Sequence, residues 1–296
     1  MHPAASIGVF GATVFLGFVI IGPIVGFMLA IPFYEGTFME LVESLTKFET
    51  TDAVRVPFLV MQACASGVGL IAIPALAYRF IVKERPMKLF TGIDAFIAAL
   101  TTIVVVLFMF PNSAVIEWNA NLNFDGSFWT WAREREDVAT EFTKFITTFN
   151  SVGDMIVGLI VIAIIPAIGE EFAFRGWLQP AIQKASGNAH VAIWVSALLF
   201  SALHMQFFGF LPRVFLGALF GYLMYWSGNL WVPIIAHLFN NGFAVVMIYL
   251  HQTGAVEFDA ESPEALPLTL IIPATIIFIG VMLFLKKQLE PRGQTA

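Results

Sequence analysis

Charged residues are scarce in this chain. Asp, Glu, Lys and Arg make up 12% of its 296 residues, and apolar residues make up 58%. Soluble domains carry roughly 25% charged residues. The composition therefore excludes an ordinary soluble domain and indicates an integral membrane protein. It also makes every charge inside an apolar run informative, because such charges are costly at membrane depth.

Other features are missing as well. The chain has one cysteine, Cys64, so no disulfide can form within it, and a lone thiol in an apolar run most often packs. We find no strand-like alternation, internal repeat, low-complexity linker, basic N-terminal region or Ala-x-Ala cleavage site. These absences favour a single helical membrane domain over residues 1–296, with an uncleaved first span.

A spanning helix needs about 20 apolar residues, and such runs recur along the chain. The sequence predicts an all-α, polytopic membrane bundle of about eight transmembrane helices. Their expected ranges are 7–33, 57–82, 94–111, 152–175, 190–208, 211–226, 230–250 and 267–285. The connections 34–56 and 112–151 are polar and contain aromatic residues, and we expect interfacial helices in them.

The distribution of Lys and Arg over short loops predicts orientation. With eight spans, one side is the richer in basic residues, so both termini should be cytoplasmic. The basic residues of that side are Arg79, Lys83, Arg85, Lys88, Lys184, Lys286, Lys287 and Arg292.

The most unusual segment places Glu170, Glu171 and Arg175 inside an apolar run. Glu171 and Arg175 are four residues apart, which on an α-helix predicts an ion pair on one face. Glu170 points about 100° away and is left for another role. Pro166 frees a backbone carbonyl one turn earlier, and Gly169 removes a side chain beside the acid. Together they predict a kinked, closely packed spot where a cavity could open.

Two later segments supply polar groups of a kind that catalysis uses. Glu170 lies 17 residues before Gly187 and His204 lies 17 after it, so a turn at Gly187 would place the acid and the imidazole at similar depth. Such a pair can deprotonate a water molecule. His237 and Asn241 share a helix face and could donate hydrogen bonds to an oxyanion. For any one of these residues, the alternative is an interhelical hydrogen bond.

These motifs resemble those of the CPBP family, which groups type II CAAX prenyl endopeptidases with bacteriocin-processing and abortive-infection proteins. The resemblance covers residues 150–250, which we take as the catalytic core, and rests on Glu170-Glu171-x-x-x-Arg175, Phe200-x-x-x-His204 and His237-x-x-x-Asn241. Flanking stretches, such as Arg175 to Pro180, also read like family members.

The resemblance implies an intramembrane endopeptidase in which Glu170 and His204 activate water. It further implies that His237 and Asn241 stabilise the oxyanion, and that Glu171 and Arg175 support the site. We expect no cofactor, because no His-Glu-x-x-His run is present; zinc at Glu170, His204 and His237 is the alternative.

The expected partners are the lipid bilayer and a hydrophobic or lipidated peptide or protein substrate, with no nucleic acid. By analogy, the membrane should be a bacterial inner membrane. Two other functions stay open: a non-catalytic scaffold or immunity protein, and a proton-coupled transporter.

Overall fold

The computed structural model describes residues 1–290, and no β-strand occurs among them. The predicted all-α class is therefore confirmed. The helices are α1 (Pro3–Phe33), α2 (Phe38–Thr46), α3 (Asp52–Phe80), α4 (Ala95–Ala120), α5 (Ser127–Ile146), α6 (Val152–Ser186), α7 (Ala189–Ala202), α8 (Phe210–Ser227), α9 (Trp231–Gln252) and α10 (Leu268–Leu289).

Within the described residues, six helices are long and apolar enough to cross a membrane: α1, α3, α4, α6, α9 and α10. The chain is a multi-pass integral membrane protein, but the predicted count of eight spans is not confirmed. Helix α7 has 14 residues, fewer than a bilayer needs, and α8 carries Pro212 and Arg213 in its first turn.

The orientation of the chain stays a prediction. Arg292, one of the basic residues assigned to the cytoplasmic side, lies outside the described residues.

The two polar connections contain helices, and the interfacial location expected for them stays a prediction. Helix α2 begins with a capping box, in which the Thr37 hydroxyl accepts from the Glu40 N–H at 3.3 Å and the Glu40 carboxylate accepts from the Thr37 N–H at 2.6 Å. These bonds satisfy N–H groups that the first helical turn leaves unpaired. Helix α5, with 20 residues, occupies half of the second connection.

Two compact units make up the described chain. Unit 1 comprises Met1–Glu84, Val138–Ala173 and Asn241–Ala260. One of its cores gathers Leu41, Val54 and Phe58, with Phe142 against them. Unit 2 comprises Arg85–Asp137, Phe174–Asn240 and, as far as the structure describes it, 261–290. One of its cores includes Val104, Phe220, Leu223 and Leu285.

The predicted turn between α6 and α7 is confirmed. Gly187 ends α6 in the left-handed conformation, at φ 69°, which glycine adopts without the penalty of a Cβ. The Asn188 side chain then accepts from the N–H groups of His190 and Val191, which starts α7. The last part of α6 and α7 therefore form a tight helical hairpin within unit 2.

Candidate active site

Helix α6 carries the paired glutamates, and its backbone is irregular around them. Two π-helical segments, Leu159–Ile164 and Phe172–Leu178, interrupt the α-helix. Such π-bulges are frequent at functional sites. Glu170 is half-buried and Glu171 is fully buried. Because the second π segment begins after Glu171, the α-helical spacing used to predict the Glu171–Arg175 pair does not hold there, and the pair stays a prediction.

Pro166 leaves a backbone carbonyl of α6 without its usual hydrogen-bond donor. Proline has no N–H, so it cannot donate to the carbonyl of Ile162, four residues earlier. The Asn241 side chain supplies a donor instead, with Nδ2 lying 3.4 Å from the Ile162 oxygen. Transmembrane helices tolerate proline where a neighbouring helix satisfies the freed carbonyl in this way. Asn241 thus makes the interhelical hydrogen bond considered above. That bond uses one of its two amide hydrogens.

Gly169 allows α3 to pack closely beside Glu170. A Cβ at position 169 would lie 2.9 Å from the Leu70 Cβ and 3.1 Å from an Ile71 side-chain carbon. No side chain fits there without displacing α3. The close packing predicted for this spot is therefore confirmed.

In unit 2, the Arg175 guanidinium is held on several sides. Its exposed fraction is 1%, and Nη2 donates to the Gly217 carbonyl at 2.9 Å. The guanidinium carbon lies 4.7 Å from the centre of the Phe200 ring, within the range of cation–π attraction. A Cβ on residue 217 would come within 3.2 Å of Nη2, so glycine at that position lets α8 approach the arginine.

His204 lies at a different place from the one predicted. The sequence placed it inside a span over 190–208, but α7 ends at Ala202 and His204 occupies the following turn, where it is exposed. The Nδ1 atom lies 2.9 Å from the Phe200 carbonyl oxygen. Since a carbonyl only accepts, Nδ1 carries the hydrogen and Nε2 is the accepting nitrogen of the neutral ring.

His237 is buried, with 4% of its surface exposed. Its ring stacks on Phe220, with centroids 5.2 Å apart and planes at 26°, and meets Phe200 edge-on at 6.1 Å. The Phe200 ring also meets the His204 ring at 5.1 Å. Phe200 therefore contacts Arg175, His204 and His237. The sequence identified it as a motif residue but gave no sign of this central position, which depends on tertiary packing.

The turn that follows His204 is fastened by polar contacts within unit 2. Asn119 of α4 donates to the Phe207 carbonyl at 3.1 Å and accepts from the Leu211 N–H at 2.8 Å. Glu136 of α5 accepts from the Phe208 N–H at 3.2 Å and from the Gln206 amide at 3.5 Å. Sequence reasoning missed both residues, since a lone Asn or Glu in a polar connection carries no motif.

Glu136 is also a titratable group that contacts this turn. Burial raises the pKa of its carboxyl, although the Phe208 N–H and the charges of Arg213 and Arg133 act in the opposite direction. Folding therefore makes ionisation of this carboxyl less favourable than it is in the unfolded chain.

We expect Glu136→Gln to remove a pH-dependent loss of stability. Because folding raises the pKa of Glu136, the stability that this group contributes is fully present below its unfolded-state pKa near 4.5. That stability is lost as the pH rises through the folded-state pKa. Relative to the variant, the wild type should become less stable between acidic and neutral pH. Unfolding temperatures measured across that range check this, with exposed Glu134→Gln as control. A wild-type-to-variant difference that does not change with pH would contradict it.

The predicted site residues divide between the two units. Unit 1 contains Glu170, Glu171 and Asn241, and unit 2 contains Arg175, His204 and His237. Within unit 2, the structure brings the latter three together around Phe200. Among residues 1–290, no group of three or more His, Cys, Asp or Glu side chains is arranged to hold a metal ion.

Residues 152–243 match the family of Rce1-like type II CAAX prenyl endopeptidases. This match confirms the resemblance inferred from the motifs, and the matched segment contains all six predicted site residues. No solved structure matches the chain.

Three bacterial proteins show sequence similarity. The membrane-embedded CAAX protease MroQ of Staphylococcus aureus is 36% identical over 36% of this chain and 40% of its own length. The uncharacterized protein YpbD of Bacillus subtilis is 28% identical over 36% of this chain and 58% of its own. The putative membrane peptidase YdiL of the same organism is 33% identical over 30% of this chain and 36% of its own. The chain thus spans less than two thirds of each relative.

Proposed function

We propose that this chain is an intramembrane endopeptidase that hydrolyses a peptide bond near the membrane. The observation that carries the proposal is the orientation of His204. Its Nδ1–H donates to the Phe200 carbonyl, which leaves Nε2 as the nitrogen that accepts a proton. An imidazole of this tautomer can act as a general base through Nε2, and His204 lies in the segment that matches the CAAX endopeptidase family.

In the proposed reaction, Glu170 and His204 polarise a water molecule and take one of its protons. The oxygen attacks the peptide carbonyl carbon, and the carbonyl oxygen becomes an oxyanion. His237 and Asn241 donate hydrogen bonds to that oxyanion. The tetrahedral intermediate then collapses, the C–N bond breaks, and the proton passes to the leaving amine. Glu171 and Arg175, both buried on α6, support the site.

The proposed site works without a metal. Zinc held by Glu170, His204 and His237 is the alternative, in which the ion would polarise the carbonyl or the water. Helix α6 contains no His-Glu-x-x-His run, the pattern that places two histidines on one helix face in zinc peptidases.

We further propose that both termini lie in the cytoplasm of a bacterial cell, with α6 and α9 in the inner membrane.

We propose a hydrophobic or lipidated peptide as substrate. A site within apolar helices favours a substrate that partitions into the bilayer, and the matching family is that of Rce1-like type II CAAX prenyl endopeptidases. One relative is itself named a CAAX protease, whereas the substrate of the present chain stays a proposal.

The test is a cleavage assay in liposomes with a panel of prenylated CAAX peptides and unmodified hydrophobic peptides, with and without a zinc chelator. We expect cleavage of at least one panel member that survives chelation. Cleavage lost on chelation and restored by zinc would overturn the metal-free mechanism. A wild type that cleaves no panel member would favour the non-catalytic scaffold.

A further inference from the structure

A cavity of about 250 Å³ lies between α3 and α6 in unit 1. Its walls are almost entirely apolar and include Leu59 and Ala63 of α3 and Val161 of α6. Two charged residues, Arg55 and Asp154, line the same cavity. None of these residues has a role in the proposed peptidase site.

Position along the helices shows how the cavity runs. Arg55 and Asp154 both lie in the first turns of their spans, Asp52–Phe80 and Val152–Ser186. The apolar lining residues come later in both helices, up to Ala63 and Val161. The cavity forms a slot along α3. At 1.5 Å per residue, this slot extends about 12 Å from Arg55 to Ala63. It therefore has a charged mouth at the ends of two spans and an apolar interior beneath.

Arg55 has no ion-pair partner in the part of the chain that the structure describes. Its Nε is buried without a hydrogen-bond acceptor, and among residues 1–290 it forms no ion pair. A buried guanidinium N–H left unpaired is costly, which favours an acceptor supplied from outside the chain. Guanidinium groups bind phosphate oxygens well because their N–H donors match the geometry.

Asp154 adds a charge of the opposite sign. One carboxylate oxygen accepts from the Asn150 N–H at 3.0 Å, and a carboxylate has further acceptor sites. The mouth therefore offers a donor for phosphate and an acceptor for ammonium. Val56 and Val157 of the lining are 46% and 44% exposed, so the slot opens at the surface of the spans, where lipid chains lie.

From this arrangement we propose that the cavity binds one phospholipid with a primary-ammonium head group, such as phosphatidylethanolamine. The lipid phosphate contacts Arg55, the ammonium contacts Asp154, and the upper part of an acyl chain fills the slot beside Leu59 and Ala63. The first turns of spanning helices are the depth at which lipid head groups reside. The proposal is independent of the peptidase activity.

The test is native mass spectrometry of the purified, delipidated full chain after addition of ethanolamine, glycerol or choline phospholipids with identical acyl chains. We expect the wild type to retain one ethanolamine lipid in preference to the others. Loss of a charge-assisted contact in Arg55→Gln should weaken retention of all three lipids roughly tenfold or more. Asp154→Asn should weaken retention of the ethanolamine lipid selectively.

Two further variants separate binding from folding. Arg79→Gln removes an exposed charge at the other end of α3 and should leave retention unchanged. Ala63→Leu fills the deep end of the slot while keeping both charges, and should reduce retention without altering head-group preference. Retention by Arg55→Gln at the wild-type level would overturn the site. An unchanged head-group preference in Asp154→Asn would overturn the contact with the ammonium.

Discussion

Glu170→Gln is expected to abolish peptide hydrolysis while leaving the protein folded. Glutamine has the shape of glutamate but cannot accept a proton from water at neutral pH. Positioned general bases contribute about 10²- to 10⁴-fold to rate, so turnover should fall by at least that factor. Glu170 is half-buried beside the tightly packed Gly169, and a substitution of equal size should not disturb this packing. Initial cleavage rates and unfolding temperature, measured on the same preparation, check both expectations.

The matched control is Glu35→Gln, which makes the same chemical change at an exposed position outside the spans. It should leave both the rate and the unfolding temperature unchanged. A Glu170→Gln variant that cleaves at the wild-type rate would remove Glu170 from the mechanism. A variant that is inactive but also unfolds well below the wild type would instead give this side chain a structural role.

The regular parts of the fold could be predicted from the sequence because length and hydropathy largely determine spanning helices. Six apolar runs became helices long enough to span, and the turn at Gly187 followed from glycine's access to the left-handed region. The predicted span 190–208 was wrong because apolar residues continue in the sequence past the end of α7 at Ala202. The backbone turns at Leu203 to Met205, and Met205 takes φ 53°, a local conformation that no hydropathy window detects.

The candidate site was predictable to the extent that its residues belong to motifs. Pro166 predicted a free carbonyl one turn earlier, but that Asn241 satisfies it follows only from the packing of α9 against α6. The central position of Phe200 and the anchoring of the turn by Glu136 are likewise tertiary features. Each depends on contacts between helices far apart in sequence, for which a single chain gives no spacing rule.

Arg175→Ala is expected to lower the free energy of unfolding by about 3–5 kcal/mol, the usual cost of breaking a buried charged arrangement by removing one partner. The substitution removes the hydrogen bond to the Gly217 carbonyl and the contact with the Phe200 ring. It also leaves a cavity in a stretch of α6 that is buried from Glu171 to Gln179. Unfolding by a denaturing detergent in mixed micelles measures the effect. A midpoint equal to that of the wild type would contradict it.

The predicted Glu171–Arg175 pair can be separated from the other contacts of Arg175 by a double-mutant cycle. If Arg175→Ala destabilises by stranding the fully buried Glu171, then adding Glu171→Gln should recover much of the loss, because a neutral amide is cheaper to bury than an unpaired carboxylate. If the loss arises from Gly217 and Phe200, the two substitutions should add. Arg175→Lys keeps the charge but not the planar fork, so it should rescue stability only in the first case. Agreement of these two tests would assign Arg175 either to a charge pair within α6 or to the packing of α6 against α7 and α8.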